Sequence, residues 1–164
     1  MKVLNPLAET EKQETRINRI GKIEKISLIN NTKPNADLIL EEIPKKLEND
    51  NIQVSRFTKP AGAPATDHEI QKASQASLCI LALGDCGSCT TWLILDAIRL
   101  EKLGTPTITI CSDEFSKFAK ELATAHGASK LRIAEIEHPI AGLKKEKVIK
   151  KTKKTIGYIK KFIG

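Results

Sequence analysis

The chain has 164 residues, 40% of them apolar, and a formal charge of +7. That length predicts one domain spanning residues 1–164, able to bury roughly 70% of the surface its unfolded chain would expose. No apolar run approaches the ~20 residues of a membrane-spanning helix. The opening stretch MKVLNPLAETEKQETR lacks the apolar core and small-residue cleavage pattern of a signal peptide, so a cytoplasmic location is expected. Four cysteines (Cys79, Cys86, Cys89 and Cys111) in such a chain argue against a structural disulfide framework, because reducing compartments keep thiols reduced.

The charge is unevenly spread. From Lys144 onward the chain holds nine lysines against one acid, Glu146, a local charge of +8 that leaves residues 1–143 close to neutral. A solvated helix face explains such a run, and docking to an acidic partner protein, RNA or a membrane surface is the functional alternative. Only Tyr158 and Phe162 interleave with the lysines, so specific nucleic-acid binding is not expected.

In chain order, residues 1–24 read as a polar N-terminal arm or a short helix ending at Gly21. KISLIN (25–30) reads as a strand. NADLILEEIPKKLEND (35–50) reads as a helix capped by Asn35 and kinked or divided at Pro44. NIQVSRF (51–57) is the second strand, followed by a Pro/Gly/Ala loop and a short helix from Asp67. LCILAL (78–83) is apolar throughout, as a central strand covered on both faces would be. Thr90 to Leu103 reads as a helix with Gly104 as its stop. PTITIC (106–111) is the fourth strand, SDEFSKFAKELATAHG a helix stopped by Gly127, and LRIAEI (131–136) the fifth strand. A basic helix closes the chain over 144–163, with Val148, Ile149, Ile156, Ile159 and Ile163 in approximate helical register.

Strands alternating with helices imply an α/β, doubly wound three-layer sandwich around a five-stranded parallel sheet, with right-handed crossovers. The flavodoxin-like order 2-1-3-4-5 is expected at this size. Its ligand crevice opens beyond the carboxyl ends of strands 1 and 3. That places the loop NNTKPNAD and the turn GDCGSC at one crevice, flanked by CSD after strand 4 and EHP after strand 5. NNTKPN is a poor phosphate loop for FMN, and the acidic pair of a phosphoacceptor domain is absent.

Cys86 and Cys89 follow a buried strand and open a helix, whose free N–H groups and dipole favour a thiolate; an ionised Asp85 would oppose it. Cysteines filling a helix end are the bland alternative. A zinc site would need Cys111 and His138 in addition to the C-x-x-C pair. A dithiol pair, or a nucleophile with a resolving cysteine, uses the two thiols without further ligands. No Arg stands at the Cys-x5-Arg spacing of a phosphatase loop.

GDCGSCTTWLILDAIRLEKLGTPTITICSDEF resembles the UGSC family, named for the selenocysteine-Gly-Ser-Cys motif of its selenoprotein members. The KPNAD loop within Asn30 to Asp37, the LEKLGTPTITIC stretch and HPIAG at His138 to Gly142 extend the resemblance over nearly the whole chain. More distantly the motif is similar to that of the selenoprotein subunit of the glycine and betaine reductases. The resemblance implies that Cys86 stands where relatives carry selenocysteine, and that Cys89 is placed to resolve its adduct.

The remaining candidates flank this motif. Lys33 and Asn35 could hold an anionic substrate, although turn and cap chemistry also accounts for Asn35 and Asp37; Lys59 is a weaker case. Gly87, Ser88 and Thr90 could donate to an oxyanion, and Ser88 and Thr90 equally to a helix cap. Cys111 reads as a buried small hydrophobe and Trp92 as packing. His138 is the histidine at the expected crevice and a natural general acid or base, with Asp85 as the other proton carrier.

The expected function is thiol-dependent, reductase-like chemistry on a small molecule. A partner-dependent binding subunit and a zinc module are the alternatives. No cofactor is predicted, and a homodimer is expected.

Overall fold

The computed structural model describes residues 14–47 and 51–163. Five parallel strands, β1 (Lys25–Asn30), β2 (Gln53–Thr58), β3 (Leu78–Gly84), β4 (Thr107–Ser112) and β5 (Ile133–Ile136), form one sheet in the order 2-1-3-4-5. The expected flavodoxin-like topology is the observed one. Helices α1 (Ala36–Glu42) and α5 (Lys145–Ile163) cover one face; α2 (Asp67–Ala73), α3 (Gly87–Lys102) and α4 (Asp113–Ala125) cover the other.

Period-two alternation feeds the two cores. Leu78 and Ile80 pack toward α1 and α5, and Cys79 and Leu81 toward α2, α3 and α4, so the strand has no polar face and reads as an unbroken apolar run. The alternation fails at the end of β3. Ala82 and Leu83 both enter the α1/α5 core, where the β3–β4 register shifts between Ala82 and Gly84. Such an irregularity re-aims the residues that follow it, and those residues are Asp85 and Cys86.

Several boundaries differ from the sequence reading. The helix expected over 35–50 stops at Glu42 and gives way to a 3-10 turn, Pro44–Lys46, because proline has no N–H to donate and its ring crowds the preceding turn; residues 48–50 lie outside the described residues. Asn35 holds the N-cap position, as expected, but without capping through its side chain. Its backbone is left-handed (φ 68°). Residues 14–24 form no helix, and residues 1–13 of the arm lie outside the described residues. The arm is tied down at Asn18, which bonds Glu101 and receives the Arg132 guanidinium on its carbonyl. The fifth strand is shorter than expected, starting at Ile133. Gly104 and Gly127 do stop α3 and α4, with φ of 90° and 74°, a region that only glycine enters without strain.

Among the described residues no helix is long and apolar enough to cross a membrane.

Candidate functional site

The third helix begins at Gly87, three residues before the expected Thr90, and its N-cap is Cys86. The Cys86 sulfur accepts the backbone N–H of Cys89 at 3.3 Å, the role usually filled by the side-chain oxygen of Ser, Thr, Asp or Asn. Cys86 is half-buried and Cys89 fully buried. The Cys89 thiol donates to the Cys86 carbonyl at 3.3 Å and accepts the Asp85 N–H at 3.3 Å. The Ser88 hydroxyl lies 3.8 Å from the Cys86 sulfur.

These contacts separate the two thiols. Burial pushes Cys86 up, but hydrogen bonds from Cys89 and Ser88 and the positive charge of Lys33 outweigh it, so its pKa falls below the ordinary thiol value. Burial, reinforced by the neighbouring Cys86 sulfur, holds Cys89 above it. One thiol is thereby prepared to be the thiolate and the other to remain a proton donor. Burial also lifts the remaining two, Cys79 to about 12 and Cys111 well above the ordinary thiol value.

The charge of Lys33 bears on both site cysteines, and the segments after β1 and at the end of β3 meet through Asn31 and Leu83. The loop after β1 is shaped by Asn31, which the sequence reading passed over. Its fully buried side chain donates to Leu83 O at 2.9 Å and accepts from Leu83 N at 2.8 Å. It satisfies both main-chain groups of Leu83 where the register shift takes that residue off the ladder. An Asn immediately after an apolar strand is the only sequence signal for it. Next to it Thr32 has φ 60°, a β-branched residue in the left-handed region, where strain of order 1–3 kcal/mol is retained only when neighbours over-determine the conformation.

Gly84 is required by close packing. A Cβ there would stand 2.6 Å from the Cys111 sulfur and 2.9 Å from Thr90 Oγ1, whereas one on Gly87 would meet nothing within 4 Å. Cys111 is therefore a packing neighbour of the site, fully buried. Thr90 is also fully buried and its hydroxyl has no partner among the described residues. Gly87 and Ser88 are exposed, and as the first two helical residues their N–H groups have no upstream helical acceptor.

His138 Nδ1 lies 2.9 Å from Asp85 Oδ1, with the Asp85 side chain only 4% exposed and the imidazole 40%. Asp113 accepts the His138 backbone N–H at 2.9 Å. A carboxylate on Nδ1 orients the ring and leaves Nε2 for a reacting group. The structure thus brings together Asp85, Cys86, Ser88, Cys89 and His138 at the carboxyl ends of the strands, with the charge of Lys33 acting on the two cysteines. Asn35 serves the same region differently: its amide donates to Ile140 O at 2.8 Å and Leu143 O at 3.3 Å.

Two of the weaker readings are not met. Lys59 does not face the crevice; its ammonium is buried against Asp96 Oδ2 at 3.0 Å and Ala63 O at 2.5 Å. The four-residue zinc set is not assembled: among the described residues no three His, Cys, Asp or Glu side chains are grouped to hold a metal. Trp92 is half-buried on α3, beside a depression of ≈ 610 Å³ that Asp67, Arg99 and His126 also line.

Among solved structures the chain is similar to a flavodoxin of Streptococcus pneumonia TIGR4 (16% identity over 84% of this chain and 97% of that one, TM-score 0.46). It is similar also to an FMN-dependent NADH-azoreductase from Bacillus anthracis str. Ames Ancestor (11% identity, 85% and 100%, TM-score 0.44). A short-chain flavodoxin associated with a non-canonical PDU bacterial microcompartment is a third (11% identity, 91% and 100%, TM-score 0.45). No curated protein matches the chain. The model of the UGSC family matches residues 2–164, covering the C-x-x-C turn, its helix and every strand; the chain belongs to the UGSC family.

Proposed function

We propose that this protein reduces a small, electrophilic, anionic molecule with the dithiol Cys86/Cys89. The observation that carries the reading is the Cys86 sulfur at the N-cap of α3, its pKa lowered by Cys89, Ser88 and Lys33. Cys86 gives its proton to Nε2 of His138, whose Nδ1–H is held by Asp85; the thiolate attacks the electrophilic atom of the substrate and expels a leaving group, to which Nε2 passes that proton. Cys89 loses its proton and attacks the Cys86 sulfur. The Cys86–Cys89 disulfide forms, and the substrate fragment departs with the electron pair and is protonated. The substrate gains two electrons and the dithiol loses two; an external thiol reductant returns the pair to the reduced state. Lys33 supplies the charge for an anionic group, and the free N–H groups of Gly87 and Ser88 line the approach. The motif-level resemblance to the selenoprotein subunit of the glycine and betaine reductases supports the nucleophilic role of position 86. A reducing, cytoplasmic setting suits the chemistry.

A small symmetric disulfide tests the sequence of steps. The wild-type chain should release both halves as thiols and end with a Cys86–Cys89 bond by mass spectrometry. Cys89→Ala should stop at a mixed disulfide on Cys86, releasing one half only. A mixed disulfide on Cys89 in the Cys86→Ala variant, formed as fast, would sink the assignment.

A further inference from the structure

His138 stands on the loop between β5 and α5, and three side chains hold that loop, two of them from elements earlier in the chain. Asp113 takes the His138 N–H, and Asn35 takes the carbonyls of Ile140 and Leu143. The third is Lys151 on α5. Its ammonium donates to three consecutive carbonyls, Glu137 O at 3.1 Å, His138 O at 3.2 Å and Pro139 O at 3.1 Å. An ammonium has three N–H donors, and these carbonyls use all of them. Lys151 is 16% exposed, while Lys150, Lys153 and Lys154 around it are exposed. One member of the lysine run is thus committed inward, onto the backbone that carries the imidazole.

We propose that Lys151 is a positioning residue for His138, holding the loop so that Nδ1 meets Asp85. This rests on the reading of Asp85 and His138 as the proton-handling pair. Three carbonyl dipoles pointing at one spot repel each other unless a cation lies between them, and hydrogen bonds to a charged donor are the strong ones. Without Lys151 the loop relaxes, and the imidazole, 40% exposed and bonded to Asp85 in the turn before α3, leaves its partner. The charged groups facing His138 are Asp85 before α3, Asp113 on α4, Lys151 on α5, and Glu137 beside it. Glu137 is in turn 3.6 Å from both Lys151 and Lys154.

Nitrogen-15 spectra of the imidazoles in mildly alkaline solution read this directly. Wild type should show His138 as the Nδ1–H tautomer with a slowly exchanging, hydrogen-bonded proton. Lys151→Met should lose that proton signal and mix the tautomers, whereas Lys153→Met, an equal change of charge on an exposed lysine, should leave both unchanged. A Lys151→Met protein that keeps the signal, or a Lys153→Met protein that loses it equally, overturns the proposal. If Lys151→Met does not fold by circular dichroism, Lys151→Gln keeps two of the three donors and should show a partial loss; no change there overturns it too. Lys151 is not among the groups that set the Cys86 thiol. An unreactive Cys86 in the wild type would therefore remove the functional reading without touching the tautomer result.

Discussion

The backbone N–H of Cys89 points at the sulfur of Cys86 across 3.3 Å, so one turn of helix both stabilises the Cys86 thiolate and supplies its nearest thiol. Alkylation followed by mass spectrometry at each cysteine should find Cys86 reacting first, with a midpoint below the ordinary thiol value. Cys79, lifted from 9.0 to about 12, should lag even an ordinary thiol by about a thousandfold near neutral pH, and Cys86 by more, since thiolate falls tenfold per pH step below the pKa. Lys33→Met and Ser88→Ala should each move the Cys86 midpoint upward. Equal rates at all four thiols would refute the activated thiolate.

The two glycines of the turn should respond in opposite ways. Gly84→Ala drives a Cβ into the buried Cys111 sulfur and Thr90 hydroxyl, an overpacking that costs about 1–3 kcal/mol. Gly87→Ala enters open space and should stay within about 0.5 kcal/mol of wild type. Urea unfolding of both variants reads the difference directly, and equal losses would contradict the packing argument.

Lys59 and Asp96 meet at 3.0 Å with side chains 1% and 0% exposed, and Arg99 Nη1 reaches the second Asp96 oxygen at 2.9 Å. Asp96→Leu leaves the Lys59 ammonium buried without a counter-charge and should cost about 3–5 kcal/mol. Lys59→Met should cost less, because Arg99 still balances Asp96. Chemical denaturation of the two single variants gives the order; the reverse order would mean that Arg99 does not share the charge.

Stability should fall in alkaline solution. Cys79 and Cys111 titrate higher in the folded chain than in the unfolded one, because burial disfavours their thiolates. Above ~8.5 the unfolded state therefore releases protons that the folded state keeps. Each such group contributes a loss of about 1.4 kcal/mol per pH unit, continuing to about 12 for Cys79. Below the unfolded value the contribution is fully retained. Cys79→Ala should be less stable at neutral pH but show a shallower alkaline slope, and an unchanged slope would show that Cys79 ionises equally in both states.

Apolar runs bounded by turn residues, alternating with segments of helical period, were enough to specify the five strands, their parallel sense and their order. They were enough because both signals are local and the crossover rule leaves few topologies. The same local reading started α3 at Thr90, because propensity assigns capping to Ser, Thr, Asp and Asn; the cap here is a cysteine sulfur whose acceptor strength comes from its surroundings.

Side-chain direction at loop positions was not legible in the sequence. Lys59 follows its strand much as Lys33 follows β1, yet only tertiary packing offers Lys59 a buried carboxylate on α3 and directs it inward. Asn35 has the composition of a cap but spends its amide on carbonyls more than 100 residues away. Asp85 and His138 were both candidates, but their pairing joins loops 53 residues apart. Lys151, one of nine similar lysines, is distinguished only by the carbonyls it meets. Periodicity records which face of an element is buried; which polar groups then meet is decided when the elements pack and every desolvated donor and charge must find a partner.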